Sequence, residues 1–192
     1  MKYYILRKKG FTLIETLVAV SVLLIALTAV FAAARNGIAS SSALKNRIVA
    51  TYLAEEGVDG LKNIKDTNLL NILVDNNVNW LEGISECSQS VPCGYDILDN
   101  GGIGTLGACS SMESCKVKMG SYNGDSTLIY RQSSAADNNP STVDTGFVRR
   151  IWVEETTPDK EAKAVVEITR PGQSTFKPYR IETFINNYWP TP

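Results

Sequence analysis

Four cysteines, one glutamate inside a long apolar run and a complete lack of histidine bound the chemistry open to this 192-residue chain. Cys87, Cys93, Cys109 and Cys115 lie mid-chain in a polar, glycine-rich stretch. That placement predicts a disulfide framework formed in an oxidising compartment, with three pairings open. A zinc site is the rival, but both gaps are C-x5-C and no histidine is available to complete a ligand set. Without histidine there is no His-based triad, and bridges explain the cysteines better than a nucleophile does.

Other candidate constellations carry little chemistry. The run Gly101-Gly102-Ile103-Gly104-Thr105-Leu106-Gly107 lacks a GK[ST] ending and sits between cysteines, so a phosphate cradle is not expected. Glu154-Glu155 falls where a strand or turn would solvate both carboxylates. Asp137, Asn138, Asn139 and Asp144 form an oxygen-rich loop without EF-hand spacing, the composition of ordinary turns. Trp152 and Trp189 are expected to pack on a sheet rather than to bind sugar. No active site, metal or cofactor is expected.

The elements that must position these residues begin with the N-terminal segment. Phe11 to Ala34 is a 24-residue run whose sole charge is Glu15; as a helix it is roughly 36 Å long, enough to span a bilayer. Lys2, Arg7, Lys8 and Lys9 crowd the residues before it and predict a cytoplasmic N-terminus, with everything after Arg35 facing outward. Without those four, 15 of the 19 basic residues remain against 20 acidic ones, so the rest of the chain is acidic. A net charge of -1 with no basic domain argues against nucleic-acid binding.

A secretory signal would have a shorter apolar core and a cleavage site after it. Here the candidate cut precedes the apolar run. Lys8-Lys9-Gly10-Phe11-Thr12-Leu13-Ile14-Glu15 closely resembles the N-terminal signal of type IV pilins and pseudopilins. The resemblance implies a leader of residues 1–10, cleavage by a membrane peptidase between Gly10 and Phe11, and N-methylation of Phe11. The apolar helix then stays on the mature subunit. It further implies a filament in which Glu15 meets the Phe11 amine of a neighbouring subunit and sets the register.

Physical chemistry of the residues agrees with that role for Glu15. A carboxylate deep in a span costs on the order of 3 kcal/mol and needs a reason. Cleavage after Gly10 frees an amine on Phe11 that is cationic at neutral pH and lies at i, i+4 from Glu15. Glu15 also falls in the first turn, where the helix dipole favours an anion. Thr12, Thr16, Ser21 and Thr28 are expected to bond back to carbonyls one turn earlier.

No proline interrupts the chain before Pro92, and Ile38, Leu44, Ile48, Val49, Tyr52, Leu53, Val58, Leu61 and Ile64 predict an amphipathic continuation over residues 35–65. Gly37, Gly57 and Gly60 weaken it. Asp66-Thr67-Asn68 reads as a stop and an N-cap, with a short second helix through Leu69–Leu73 that Asp75-Asn76-Asn77 ends. Residues 66–192 form the globular part, with the cysteines confined to 87–115. Strands are expected at Tyr95–Leu98, Lys116–Met119, Phe147–Glu154, Ala162–Ile168 and Tyr179–Ile185, with turns at Thr157-Pro158-Asp159 and Arg170-Pro171-Gly172.

The expected fold is α+β: a long N-terminal helix, its first half transmembrane, packed on an antiparallel sheet, as in pilins. The expected role is a structural subunit, a minor pilin or pseudopilin of a pilus-like or secretion-like filament. Its partners would be other pilin subunits, the prepilin peptidase, an assembly platform in the cytoplasmic membrane, and lipid. A monomeric membrane-anchored binding module is the alternative.

Overall fold

A computed structural model describes residues 10, 12–74, 78–97, 104–109, 111–121, 128–132 and 143–188. One helix, α1 (Leu13–Ile72), precedes seven strands: β1 (Cys93–Asp96), β2 (Thr105–Ala108), β3 (Lys116–Ser121), β4 (Leu128–Arg131), β5 (Val143–Thr157), β6 (Glu161–Thr169) and β7 (Tyr179–Asn186). The fold is α+β, with a long N-terminal helix and an antiparallel sheet. The chain divides into two compact units, Met1–Leu44 and Lys45–Pro192.

In the first unit every described residue from Thr12 to Leu44 is exposed. Backbone hydrogen bonds alone make this segment a helix, because nothing within the unit covers its apolar side chains.

In the second unit, residues 45–72 of α1 pack on the sheet. β5 is its spine. On one edge β5 pairs with β6 from Val148↔Thr169 to Thr157↔Glu161; on the other it meets β1 at Ile151↔Cys93 and β3 from Val148↔Lys116 to Val143↔Met119. β7 extends the sheet beyond β6, β2 beyond β1 and β4 beyond β3. The expected meander of the last third is β5-β6-β7, and its turns lie where Pro158 and Pro171 predict them. Asp159 at φ 55 and Gly172 at φ 83 supply the left-handed residues those turns require.

Alternation sorts the strand residues. Phe147, Ile151, Ala162, Ala164, Val166, Ile168 and Ile185 enter one core with Ala50, Leu53, Ala54, Leu61 and Ile64 of α1. On the sheet's opposite face Trp152 is also buried, with the Arg180 guanidinium 5.1 Å from its ring. It packs on the sheet as expected; Trp189 lies outside the described residues.

The structure departs from the sequence-based expectations in several places. α1 runs without a break through Asp66-Thr67-Asn68 to Ile72, so neither the stop nor the second helix exists. The side chains read as a cap are occupied otherwise: Thr67 Oγ1 donates to the Asn63 carbonyl at 2.8 Å, and buried Asn68 Nδ2 donates to the Trp80 and Glu82 carbonyls at 3.2 and 2.8 Å. Asp75-Asn76-Asn77 lies outside the described residues.

The buried stripe also turns relative to the expected one, since Ile48 and Tyr52 are 49% and 67% exposed while Ala50, Ala54, Gly57 and Gly60 are buried. Small residues let the helix come close to the sheet. A Cβ on Gly60 would lie 2.4 Å from the Tyr95 ring, and one on Gly57 3.1 Å from Val166. These two glycines therefore seat the helix rather than loosen it. β2 and β4 are additions to the expected strands. β1 spans Cys93–Asp96 rather than starting at Tyr95, and Leu98 lies outside the described residues.

Candidate functional site

Of the N-terminal site residues, Gly10 lies in open space, and Phe11 with Lys2, Arg7, Lys8 and Lys9 lies outside the described residues. Thr12 stands immediately before α1. Its Oγ1 accepts the Glu15 N–H at 3.3 Å, and its carbonyl accepts the N–H groups of Glu15 and Thr16 at 3.1 and 3.2 Å. This is an N-cap, a correction to the expected back-bond: no helical turn precedes Thr12 for its hydroxyl to reach. Thr-x-x-Glu is the spacing of a capping box, and it puts Glu15 in the first turn. Thr16, Ser21 and Thr28 do bond back, to the carbonyls of Leu13, Leu17 and Ile25 at 2.8, 2.7 and 2.8 Å. Those hydroxyls are thereby satisfied inside the helix, which suits an apolar surrounding.

Around this capped start the helix is bare. Leu13, Ile14, Leu24, Ile25, Val30 and Phe31 are each more than half exposed. Burying one such side chain is worth about 1.5–3 kcal/mol, so a surface of this extent demands lipid or protein against it. The helix is long and apolar enough to cross a membrane.

The model of the prokaryotic N-terminal methylation motif matches residues 5–31, covering Gly10, Glu15 and most of the bare apolar segment. The chain carries the type IV prepilin signature. The signature supports a pilin- or pseudopilin-type structural subunit rather than an enzyme, anchored in the membrane through its apolar helix. It implies in general terms processing by the prepilin peptidase and assembly with other pilin subunits. No curated protein and no solved structure matches this prepilin-type chain.

The second unit holds the remaining sequence-predicted residues. The structure joins Cys87 to Cys93 and Cys109 to Cys115, so each bridge closes its own C-x5-C loop. Asp144 accepts the Gly146 N–H at 2.7 Å and pairs with Lys116 at 2.9 Å. The Gly146 N–H, ahead of Lys116, holds its carboxyl below the ordinary 3.8. Lys116 is held above its ordinary 10.5 by Glu113 first and by Asp144 second. Asp137, Asn138 and Asn139 lie outside the described residues, and among those described no cluster of metal-ligating groups occurs. Glu154 and Glu155 are solvated, Glu155 accepting the Asp159 N–H at 2.8 Å in the β5–β6 turn.

One residue escaped the sequence reasoning. Arg149 is 0% exposed at the centre of the second unit. Its Nη1 donates to the Leu53 carbonyl at 3.1 Å and to Glu56 Oε2 at 2.7 Å, its Nη2 to the Tyr95 carbonyl at 2.7 Å, and its Nε to Gln132 Oε1 at 3.0 Å. The guanidinium also stands 5.5 Å from the centroid of the Tyr95 ring. Burial, followed by the Glu56 charge, pushes the Tyr95 hydroxyl above its ordinary 10.0. The signal was present: Phe147, Arg149, Ile151 and Val153 occupy alternate positions of one strand, so Arg149 must point inward with them.

Proposed function

We propose that this chain is a minor pilin or pseudopilin that is stored in the cytoplasmic membrane, with its N-terminus inside, and is then drawn by its helix into a filament. The observation that carries this is the prepilin signature over residues 5–31, laid on a helix whose apolar surface has no cover of its own. Cleavage between Gly10 and Phe11 removes the leader 1–10, and methylation falls on the Phe11 amine. In the membrane, Glu15 pairs with the amine of its own Phe11; in the filament it takes the amine of a neighbour, which sets the register. The apolar helix over 11–34 supplies cohesion, first against lipid and then against other subunits on the assembly platform. Head-to-tail contacts of this kind do not close, and they build an open helical filament.

Intact mass and N-terminal sequence of the protein from native membrane or shed filaments test this. A mature chain that begins at Phe11 and carries an added methyl group is expected. A chain still beginning at Met1 overturns the proposal and leaves an anchored extracytoplasmic module.

A further inference from the structure

The edge of β5 opposite β6 is lined in part by the two disulfide loops. Val153 donates its N–H to the Cys87 carbonyl at 2.8 Å, Ile151 lies opposite Cys93, and Arg149 donates its N–H to the Cys115 carbonyl at 3.1 Å. The loops also hold each other, with the Cys109 N–H on the Pro92 carbonyl at 2.7 Å. All four cysteines are buried.

These loops adjoin the segments that wall the Arg149 cage. Tyr95, whose carbonyl takes Nη2, follows Cys93 by two residues in β1. Gln132, which takes Nε, is gripped in turn by the Cys115 and Arg149 carbonyls and by the Tyr95 N–H. The third wall is α1, through Leu53 and Glu56. A buried guanidinium is tolerated only while its donors are met. Two of its four acceptors, on Tyr95 and Gln132, stand on segments anchored beside the bridged Cys93 and Cys115. By contrast β6 and β7 pair continuously from Glu161↔Asn186 to Ile168↔Tyr179, with no cysteine in either strand.

We propose that the two disulfides are a redox-sensitive latch: oxidised, they hold the Arg149 cage shut on α1 at Leu53 and Glu56; reduced, they release it while β6 and β7 stay paired. A dithiol reductant opens each bridge in two thiol–disulfide exchanges. The Sγ–Sγ bond breaks, both cysteines leave as thiols with the protons of the reductant, and the reductant is oxidised to its own disulfide. Because the sulfurs are buried, the exchange proceeds through local opening of the loops. The latch stands on the second unit alone and is independent of leader cleavage and filament formation.

Residue-resolved hydrogen exchange on the full-length chain in detergent micelles, with and without dithiothreitol, tests it. In the fully reduced protein the amides of Tyr95, Arg149 and Val153 should lose about tenfold or more of their protection while Ala164 and Val166 in β6 keep theirs. The paired variants separate the bridges: Cys87→Ser with Cys93→Ser should free Val153 first, and Cys109→Ser with Cys115→Ser should free Arg149 first. Unchanged protection at the three amides after full reduction overturns the latch. So does loss that reaches β6 at the same rate, since that is global unfolding.

Discussion

Arg149 and Glu56, 93 residues apart in the chain, meet at 2.7 Å, and this pair binds the spine of the sheet to the helix. Glu56 keeps part of its carboxylate in solvent, whereas the guanidinium is wholly enclosed. The two partners are therefore not equivalent.

Replacing Arg149 with Met should destabilise the second unit by about 3–5 kcal/mol, because it removes four hydrogen bonds at once and takes the cation away from the half-buried Glu56 carboxylate. Glu56→Gln should cost less, about 1–2 kcal/mol, since the guanidinium keeps its other partners and solvent reaches the site. Arg149→Lys should not rescue, as one ammonium cannot reach four acceptors in a fork. Urea denaturation followed by tryptophan fluorescence in micelles measures all three.

Gly60→Ala should destabilise by about 1–3 kcal/mol, because its Cβ would enter the Tyr95 ring at 2.4 Å with helix backbone behind it. Gly37→Ala meets nothing within 4 Å and should instead favour the helix by about 1 kcal/mol. Thermal melts by circular dichroism should shift in opposite directions for the two variants.

Glu15→Ala should leave membrane insertion intact and abolish assembly. Removing a carboxylate makes the span cheaper to bury while it deletes the partner proposed for the Phe11 amine. Membrane fractionation and shed-filament yield measure the two halves separately; normal yield from the variant would sink the registry role.

Among the described residues, two carboxyl groups contribute to the acid limb of stability. Asp144, held down by the Gly146 N–H, and Glu182, held down by Lys163, both have folded values below their ordinary ones. Their contributions are present above the ordinary values of 3.8 and 4.5 and fade as pH falls through the lowered folded values. Lys116 and Tyr95 are raised, so their contributions hold below 10.5 and 10.0 and fade as pH climbs through the higher folded values. A pH series of melting temperatures should be flat near neutrality and fall on both sides. Asp144→Asn should flatten the acid side, and carboxyl-resolved NMR titration should place Asp144 below its ordinary value.

Much of this was legible in the residues themselves. An apolar run with one carboxylate behind a basic cluster and a glycine determines a membrane-competent helix that carries the prepilin signature, because hydropathy, length, charge and a short motif are local properties. The β5-β6-β7 meander was legible for the same reason: alternation of period two and the Pro158 and Pro171 turns need no distant partner to be recognised. Only tertiary structure could decide the rest. Asp66-Thr67-Asn68 looks like a helix end until Asn68 is seen spending its amide on Trp80 and Glu82. Gly60 looks like a weak point until the Tyr95 ring fills the space its missing side chain leaves. The cysteine pairing is local, each bridge closing its own C-x5-C loop, yet three pairings were open until the fold chose one; the Arg149 cage joins residues far apart in sequence, and no propensity records which distant carbonyls a buried guanidinium will find. Local chemistry wrote the helix and its signal; long-range packing chose how the second unit closes around Arg149.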